Sequence, residues 1–219
     1  LDGFRARAKL IYNDRNTGFS KAVNQGIAAS AGEYILTLNP DAVIEKDFLE
    51  KADALIKTGH SRLGMIAPKI LKDPSSKIID SAGLMLTWAF RFHDRGRGVV
   101  DSGQFDARPE IFGPCAAAAI YSRKMLEDIK VAKEYFDENF FLMVEDFDVA
   151  WRARRRAWRQ RRGKAPSSRR AAGAQRVAPR AAMSPPVARP SVTGRNRLRW
   201  RVRGRAAMGA SFTRQPRLT

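Results

Sequence analysis

Five consecutive residues, Tyr34-Ile35-Leu36-Thr37-Leu38, form a largely apolar run that stops at Asn39-Pro40-Asp41. A strand that is apolar on successive residues needs cover on both faces, as in a parallel sheet between helical layers. Pro40 ends the run, because its ring fixes the backbone and removes a donor. Sheets of this kind place their ligands just beyond the carboxyl ends of the strands. A second acidic feature, Glu145-Asp146, opens a helical pattern much later in the chain. A strand-end carboxylate met by an acidic pair from a distant segment suits a metal–diphosphate site facing a general base.

The surrounding text alternates strand and helix. Residues 8–12 read as a short strand, and Ser20, preceded by the apolar Phe19, reads as the N-cap of a helix that stops at Gly32. Asp47 with Glu50 three residues on is a capping signature for a helix over 48–58. Strands are predicted at 65–71, 78–86 and 111–121, a mobile loop at 91–110 and a short helix at 122–130. A final helix runs from 140 to about 158, with Val144, Phe147, Trp151 and Trp158 on one face. The alternation predicts an α/β fold built from βαβ units, with a mostly parallel sheet and flanking helices.

Charge divides the chain in two. Residues 160–219 hold fifteen arginines, one lysine and no carboxylate, a charge of +16, while residues 1–159 hold 25 basic and 22 acidic side chains, a net of +3. The total of +19 therefore belongs to the tail. The tail lacks periodicity and apolar surface, so two regions are expected: a folded domain over 1–159 and a disordered Arg/Ala/Pro-rich segment over 160–219. Cys115 is the single cysteine, which excludes an internal disulfide and fits a reducing compartment. No apolar stretch approaches the roughly 20 residues that span a bilayer. No signal-peptide pattern is present, and the start at Leu1-Asp2-Gly3 without methionine predicts that the natural chain begins earlier.

Read from the residues alone, each candidate keeps an ordinary alternative. Asp41 can ligate Mg²⁺ or Mn²⁺, yet Asn-Pro-Asp is also common turn chemistry. Glu145, Asp146 and Asp148 fit a general base near apolar Phe140, Phe141, Leu142 and Met143, but the helix dipole by itself favours acids there. Asn16, Gly18 and Asn24 can bring amide donors to a ligand, although neither phosphate-loop spacing is present. His60 and His93 are lone surface histidines, and Cys115 and the Trp151/Trp158 stripe read as core.

Four stretches fall in one order: Asn16-Thr-Gly-Phe-Ser-Lys-Ala-Val-Asn-Gln-Gly26; Gly32-Glu-Tyr-Ile-Leu-Thr-Leu-Asn-Pro-Asp-Ala42; Gly113-Pro-Cys115; and Phe136-Asp-Glu-Asn-Phe-Phe-Leu-Met-Val-Glu-Asp-Phe-Asp-Val-Ala-Trp-Arg152. Together, over residues 8–159, they resemble the family 2 glycosyltransferases and within them the rhamnosyltransferase-like branch. The resemblance implies a partial GT-A (Rossmann-like) fold, a nucleotide-diphosphate sugar donor and Mg²⁺ or Mn²⁺ held by Asp41. It implies that Asp146 is the base of an inverting transfer to a polysaccharide or lipid-linked acceptor, with Glu145 beside it. Asn16, Gly18, Asn24, Asn39 and Asp41 would lie on the donor side, and Gly113, Trp151 and Arg152 on the acceptor side. The setting would be the cytoplasm, at the inner face of the cell membrane, with peripheral membrane association.

Two departures from the family pattern lead us to expect a truncated fragment, whose own activity is a separate question from family membership. The family's opening strand and second βα unit do not precede residue 8, and no histidine follows Trp158-Arg159. The tail's arginine excess predicts a frameshifted reading of a GC-rich gene. The alternative is a genuine basic arm that binds nucleic acid or an anionic surface through phosphates. With only Trp200 and Phe212 as aromatics, base stacking is not suggested, so a nucleic-acid partner is not the expected one.

Overall fold

A computed structural model describes residues 8–59, 61–73, 75–106 and 110–170. The elements in chain order are α1 (Phe19–Ala28), β1 (Tyr34–Leu38), β2 (Ala42–Ile44), α2 (Phe48–Lys57), β3 (Leu63–Leu71), β4 (Ile79–Ser81), β5 (Leu84–Leu86) and β6 (Phe92–Asp94). They continue with β7 (Ala118–Ser122), α3 (Arg123–Ile129), α4 (Glu145–Arg155) and β8 (Arg159–Arg170). The main sheet has the order β1-β7-β3-β8-β2 with β4 beside β3, and β5 and β6 form a separate hairpin.

The centre of the sheet is buried on both faces, but the run Tyr34–Leu38 that carries this expectation forms an edge strand with Tyr34 and Leu38 exposed. Met65 and Tyr121 point into one cluster with Ile27, Met125, Phe136 and Val149 from α1, α3, the 130s segment and α4. Their neighbours Ile66 and Ile120 point to the other face, against Phe48 and Ala52 of α2. All nine residues of β3 are buried, which is what cover on both faces does to a central strand.

Strand direction corrects the expectation of a mostly parallel sheet. Only β3–β8 is parallel; β1–β7, β3–β7, β3–β4 and β2–β8 are antiparallel. β1, β3 and β8 do share one direction, but β7 inserts between β1 and β3 running the other way. An apolar run carries no record of strand direction.

Other boundaries shift for local reasons. Residues 8–12 form no strand, and Leu10, Ile11 and Tyr12 lie exposed. Helix α1 begins at Phe19 with Gly18, not Ser20, at its N-cap; the Ser20 hydroxyl instead donates to the Phe140 carbonyl at 2.6 Å. Asp47 makes no capping bond and pairs with Lys51 at 2.6 Å. The expected strand 78–86 is split into β4 and β5 at Gly83, whose φ of 99° suits glycine. The expected loop 91–110 contains β6, strand 111–121 contracts to β7, and the helix expected from 140 starts at Glu145. Trp158 lies beyond α4 and donates to Asp128 at 2.7 Å, so it leaves the face shared by Phe147 and Trp151.

The sheet also runs past the boundary expected at 159/160. β8 pairs with β3 from Leu63↔Arg159 to Leu71↔Arg169, with its register broken between Ala67↔Arg162 and Lys69↔Ser167. Pro166 falls in that break, where a missing backbone donor does least harm. The disorder expected for 171–219, and His60, lie outside the described residues.

Candidate functional site

Asp146 is the second residue of α4. Its Oδ1 accepts from the Phe147 N–H at 2.9 Å and its Oδ2 from the Ala116 N–H at 3.3 Å. The adjacent peptide reaches the end of β1: the Asn39 N–H donates to the Ala117 carbonyl at 2.9 Å, and the Thr37 hydroxyl to the Ala116 carbonyl at 2.9 Å. Asn39 also accepts from Ala42 N–H at 3.0 Å, closing the turn that carries Asp41 half-buried. One short segment, residues 116–117, thus ties the strand-end acid to the helix-start acid.

Burial pushes the Asp146 carboxyl up to about 7, helped by the Glu145 charge and, more weakly, by Asp94; the two backbone N–H groups pull the other way. Glu145 is 6% exposed, its Oε2 has no hydrogen-bond partner among the described residues, and burial raises its pKa as well. Desolvation therefore outweighs the helix dipole here. A carboxyl that ionises near neutrality is suited to taking a proton from a hydroxyl. Burial followed by the Asp146 charge also pushes the Cys115 thiol well up, so it is no nucleophile. His93 lies exposed on β6.

The first sequence motif docks onto the last. Gly18 (φ 83°) lies so close to Phe141 that a Cβ would meet its carbonyl oxygen at 2.5 Å, and the Phe19 N–H donates to that carbonyl at 2.8 Å. Asn16 accepts from the Gly18 N–H at 3.0 Å. Asn24 is buried and brackets Phe136, donating to its carbonyl at 2.7 Å and accepting from its N–H at 2.9 Å. Its amide holds the loop that leads into α4 and is turned inward to that task.

Two of the residues expected on the acceptor side are likewise engaged within the fold. Arg152 binds Asp148 at 2.7 Å and the carbonyls of Ile129 and Tyr135 at 2.6 and 2.7 Å. Gly113 lets α4 approach, since a Cβ there would meet the Ala150 Cβ at 2.5 Å. Trp151 is 40% exposed and belongs to an aromatic row beside Asp146. The Phe147 ring centroid lies 4.4 Å from that of Phe92 and 6.1 Å from that of Phe112, and the Phe112 and Trp151 centroids are 6.2 Å apart. Phe92, Asp94 and Phe112 were not singled out in the sequence; Phe92 and Asp94 reach the site on the β5–β6 hairpin, and Phe112 lies against that hairpin, its N–H donating to the Leu84 carbonyl at 3.0 Å. A cavity of about 790 Å³ is lined by Glu110, Arg154 and Trp158 and by Phe112 of the aromatic row, and neither Glu145 nor Asp146 lines it.

The resemblance implies a divalent cation. Among the described residues no cluster of three or more His, Cys, Asp or Glu could hold a metal. A single half-exposed carboxylate at a strand end still fits Mg²⁺ or Mn²⁺, which take most of their ligands from water and substrate phosphates.

A central sheet with helices on both faces, with the Asp41 turn and the Asp146 carboxyl linked through residues 116–117, fits the GT-A fold class. The chain belongs to glycosyl transferase family 2, whose profile matches residues 1–130. GalNAc-T7 bound to UDP, GalNAc and Mn²⁺ is similar in fold, with a TM-score of 0.55 at 13% identity over 74% of this chain and 32% of that one. S. aureus TarS matches with a TM-score of 0.49 at 21% identity over 78% of this chain and 28% of TarS. TarS 1–349 with UDP matches at 0.47 and 20% identity, over 78% and 46% of the two chains. The chain thus spans less than half the length of these solved proteins. No curated protein matches it.

Proposed function

We propose that this chain carries the catalytic half of an inverting sugar transfer, from a nucleotide-diphosphate sugar to a polysaccharide or glycolipid acceptor on the cytoplasmic side. Rhamnose is the sugar suggested by the branch that the motifs resemble. The observation that carries this reading is the link through residues 116–117, which brings the Asp41 turn and the Asp146 carboxyl to one end of the sheet. Asp146 takes the proton of the acceptor hydroxyl, and that oxygen attacks the anomeric carbon as the bond to the diphosphate breaks. Asp41 would hold the divalent cation, which when bound offsets charge on the departing diphosphate. Burial, with the Glu145 charge second, keeps Asp146 protonated until the pH approaches neutrality.

The test is transfer of labelled sugar from a set of nucleotide-diphosphate sugars, nucleotide-diphosphate rhamnose among them, to lipid-linked saccharide in the presence of Mn²⁺. Transfer that Asp146→Asn abolishes supports the reading. Transfer that survives Asp146→Asn removes Asp146 as the base. Absence of both transfer and nucleotide-sugar binding rejects the activity for this chain.

A further inference from the structure

The β5–β6 hairpin ends in a tip that its own fold does not use. Trp88 is 94% exposed and Phe90 69% exposed, so both side chains stand clear of the protein. The turn beneath them is built: Thr87 N–H donates to the Arg91 carbonyl at 3.0 Å, Phe90 N–H to the Thr87 carbonyl at 3.0 Å, and Arg91 N–H to the Thr87 hydroxyl at 3.1 Å. Phe90 has a φ of 53°, a conformation that costs a bulky residue on the order of 1 kcal/mol and here turns its ring outward. Residues 85–93 contain Arg91 and His93 and no carboxylate. Arg91 is exposed and makes no ion pair among the described residues.

We infer that this tip inserts into the interface of an anionic lipid bilayer. Tryptophan and phenylalanine settle at the headgroup boundary, and arginine reaches the lipid phosphates. A lipid surface fits better than a protein partner because a narrow protrusion offers little of the roughly 800 Å² that each side of a stable protein interface needs. The tip itself carries Arg91 and no carboxylate, which favours an anionic surface over a neutral one. Phe92, at the base of the tip, touches Phe147 at 4.4 Å, next to Asp146. Docking would therefore hold the candidate base close to the membrane. The inference does not depend on sugar transfer, because its test uses no donor.

The full chain would be mixed with vesicles of equal parts phosphatidylglycerol and phosphatidylcholine, the latter brominated on its acyl chains. The salt would be roughly 0.5 M, where contacts made by residues 160–219 through charge alone are screened. Bromine should quench part of the tryptophan emission, and Trp88→Phe should remove that part while keeping vesicle binding. Trp88→Ser/Phe90→Ser should weaken binding at least about tenfold, with an unchanged circular dichroism spectrum. Quenching that persists in Trp88→Phe, or equal binding by the double variant, would overturn the inference. So would wild-type protein that ignores the vesicles.

Discussion

The backbone N–H of Ala116 donates to the Oδ2 of Asp146 at 3.3 Å, so the segment that ends β1's hydrogen bonding also orients the candidate base. The bond lowers the carboxyl pKa, and burial with Glu145 more than reverses it, to about 7. Transfer should accordingly rise with pH through about 7 and then level off, as the carboxylate form fills. Asp146→Asn should reduce turnover by about 10²–10⁴-fold. An initial-rate pH profile checks the first expectation; a flat profile between pH 5 and 8 would count against Asp146 as the base.

The same shift has a thermodynamic consequence. The folded state binds the Asp146 proton more tightly than the unfolded chain does, with a pKa raised from 3.8 to about 7. That contribution to stability is full below the unfolded value and is lost as pH rises through the folded one. Above neutrality the buried charge costs up to about 4 kcal/mol. Asp146→Asn should therefore raise Tm at pH 8 far more than at pH 4, and equal melting shifts at both pH values would contradict this.

Asp41 is half-buried at a turn and its expected role is to hold the cation. Asp41→Asn should lower Mn²⁺-dependent nucleotide-sugar affinity at least about tenfold, with little change in the unfolding midpoint. Calorimetric titration with and without Mn²⁺ separates the two. A variant that loses stability and keeps affinity would make Asp41 a turn residue only.

The approach of α4 to residues 112–113 is set by two small side chains. Gly113→Ala would place its Cβ 2.5 Å from the Ala150 Cβ and should cost about 1–3 kcal/mol. Adding Ala150→Gly should recover part of the loss, less about 1 kcal/mol for glycine in a helix. Urea unfolding of the two single variants and the double gives the coupling. Additive costs would show that the contact is slack.

Val144, the N-cap of α4, has a φ of 74° although it is β-branched and 43% exposed. A left-handed conformation costs such a residue roughly 1–2 kcal/mol, and little packing would be lost with its side chain. Val144→Gly should thus stabilise the protein by about 1 kcal/mol, where glycine at a helix end of ordinary geometry would be neutral or worse. A fall in the denaturation midpoint would show that the Val144 side chain contributes more than the strain costs.

The places of the two candidate acids in the fold were legible in local text. The run Tyr34–Leu38 with its proline stop placed Asp41 at a strand end, and acids at the head of a helical pattern placed Asp146. The family, too, was readable from motif order, because family 2 motifs are contiguous stretches that need no fold to be recognised. The α/β class followed from the alternation of strand and helix patterns; burial on both faces holds for β3 and β7 but not for the edge strand β1. Asn24 and Arg152 show the limit: each looks like a ligand residue in sequence, and only the packed chain shows their polar groups turned to the backbone of Phe136, Ile129 and Tyr135.

Composition determined that residues 1–159 and 160–219 differ in charge, and periodicity determined which segments could be covered by helices. Tertiary structure decided the rest. It inserted β7 antiparallel between β1 and β3, carried the sheet on through Arg170, and folded the β5–β6 hairpin against α4 so that Phe92 meets Phe147. Strand direction and the meeting of distant side chains depend on contacts between residues far apart in the chain. Hydrophobic pattern is a local quantity, and many arrangements of the same covered strands satisfy it equally.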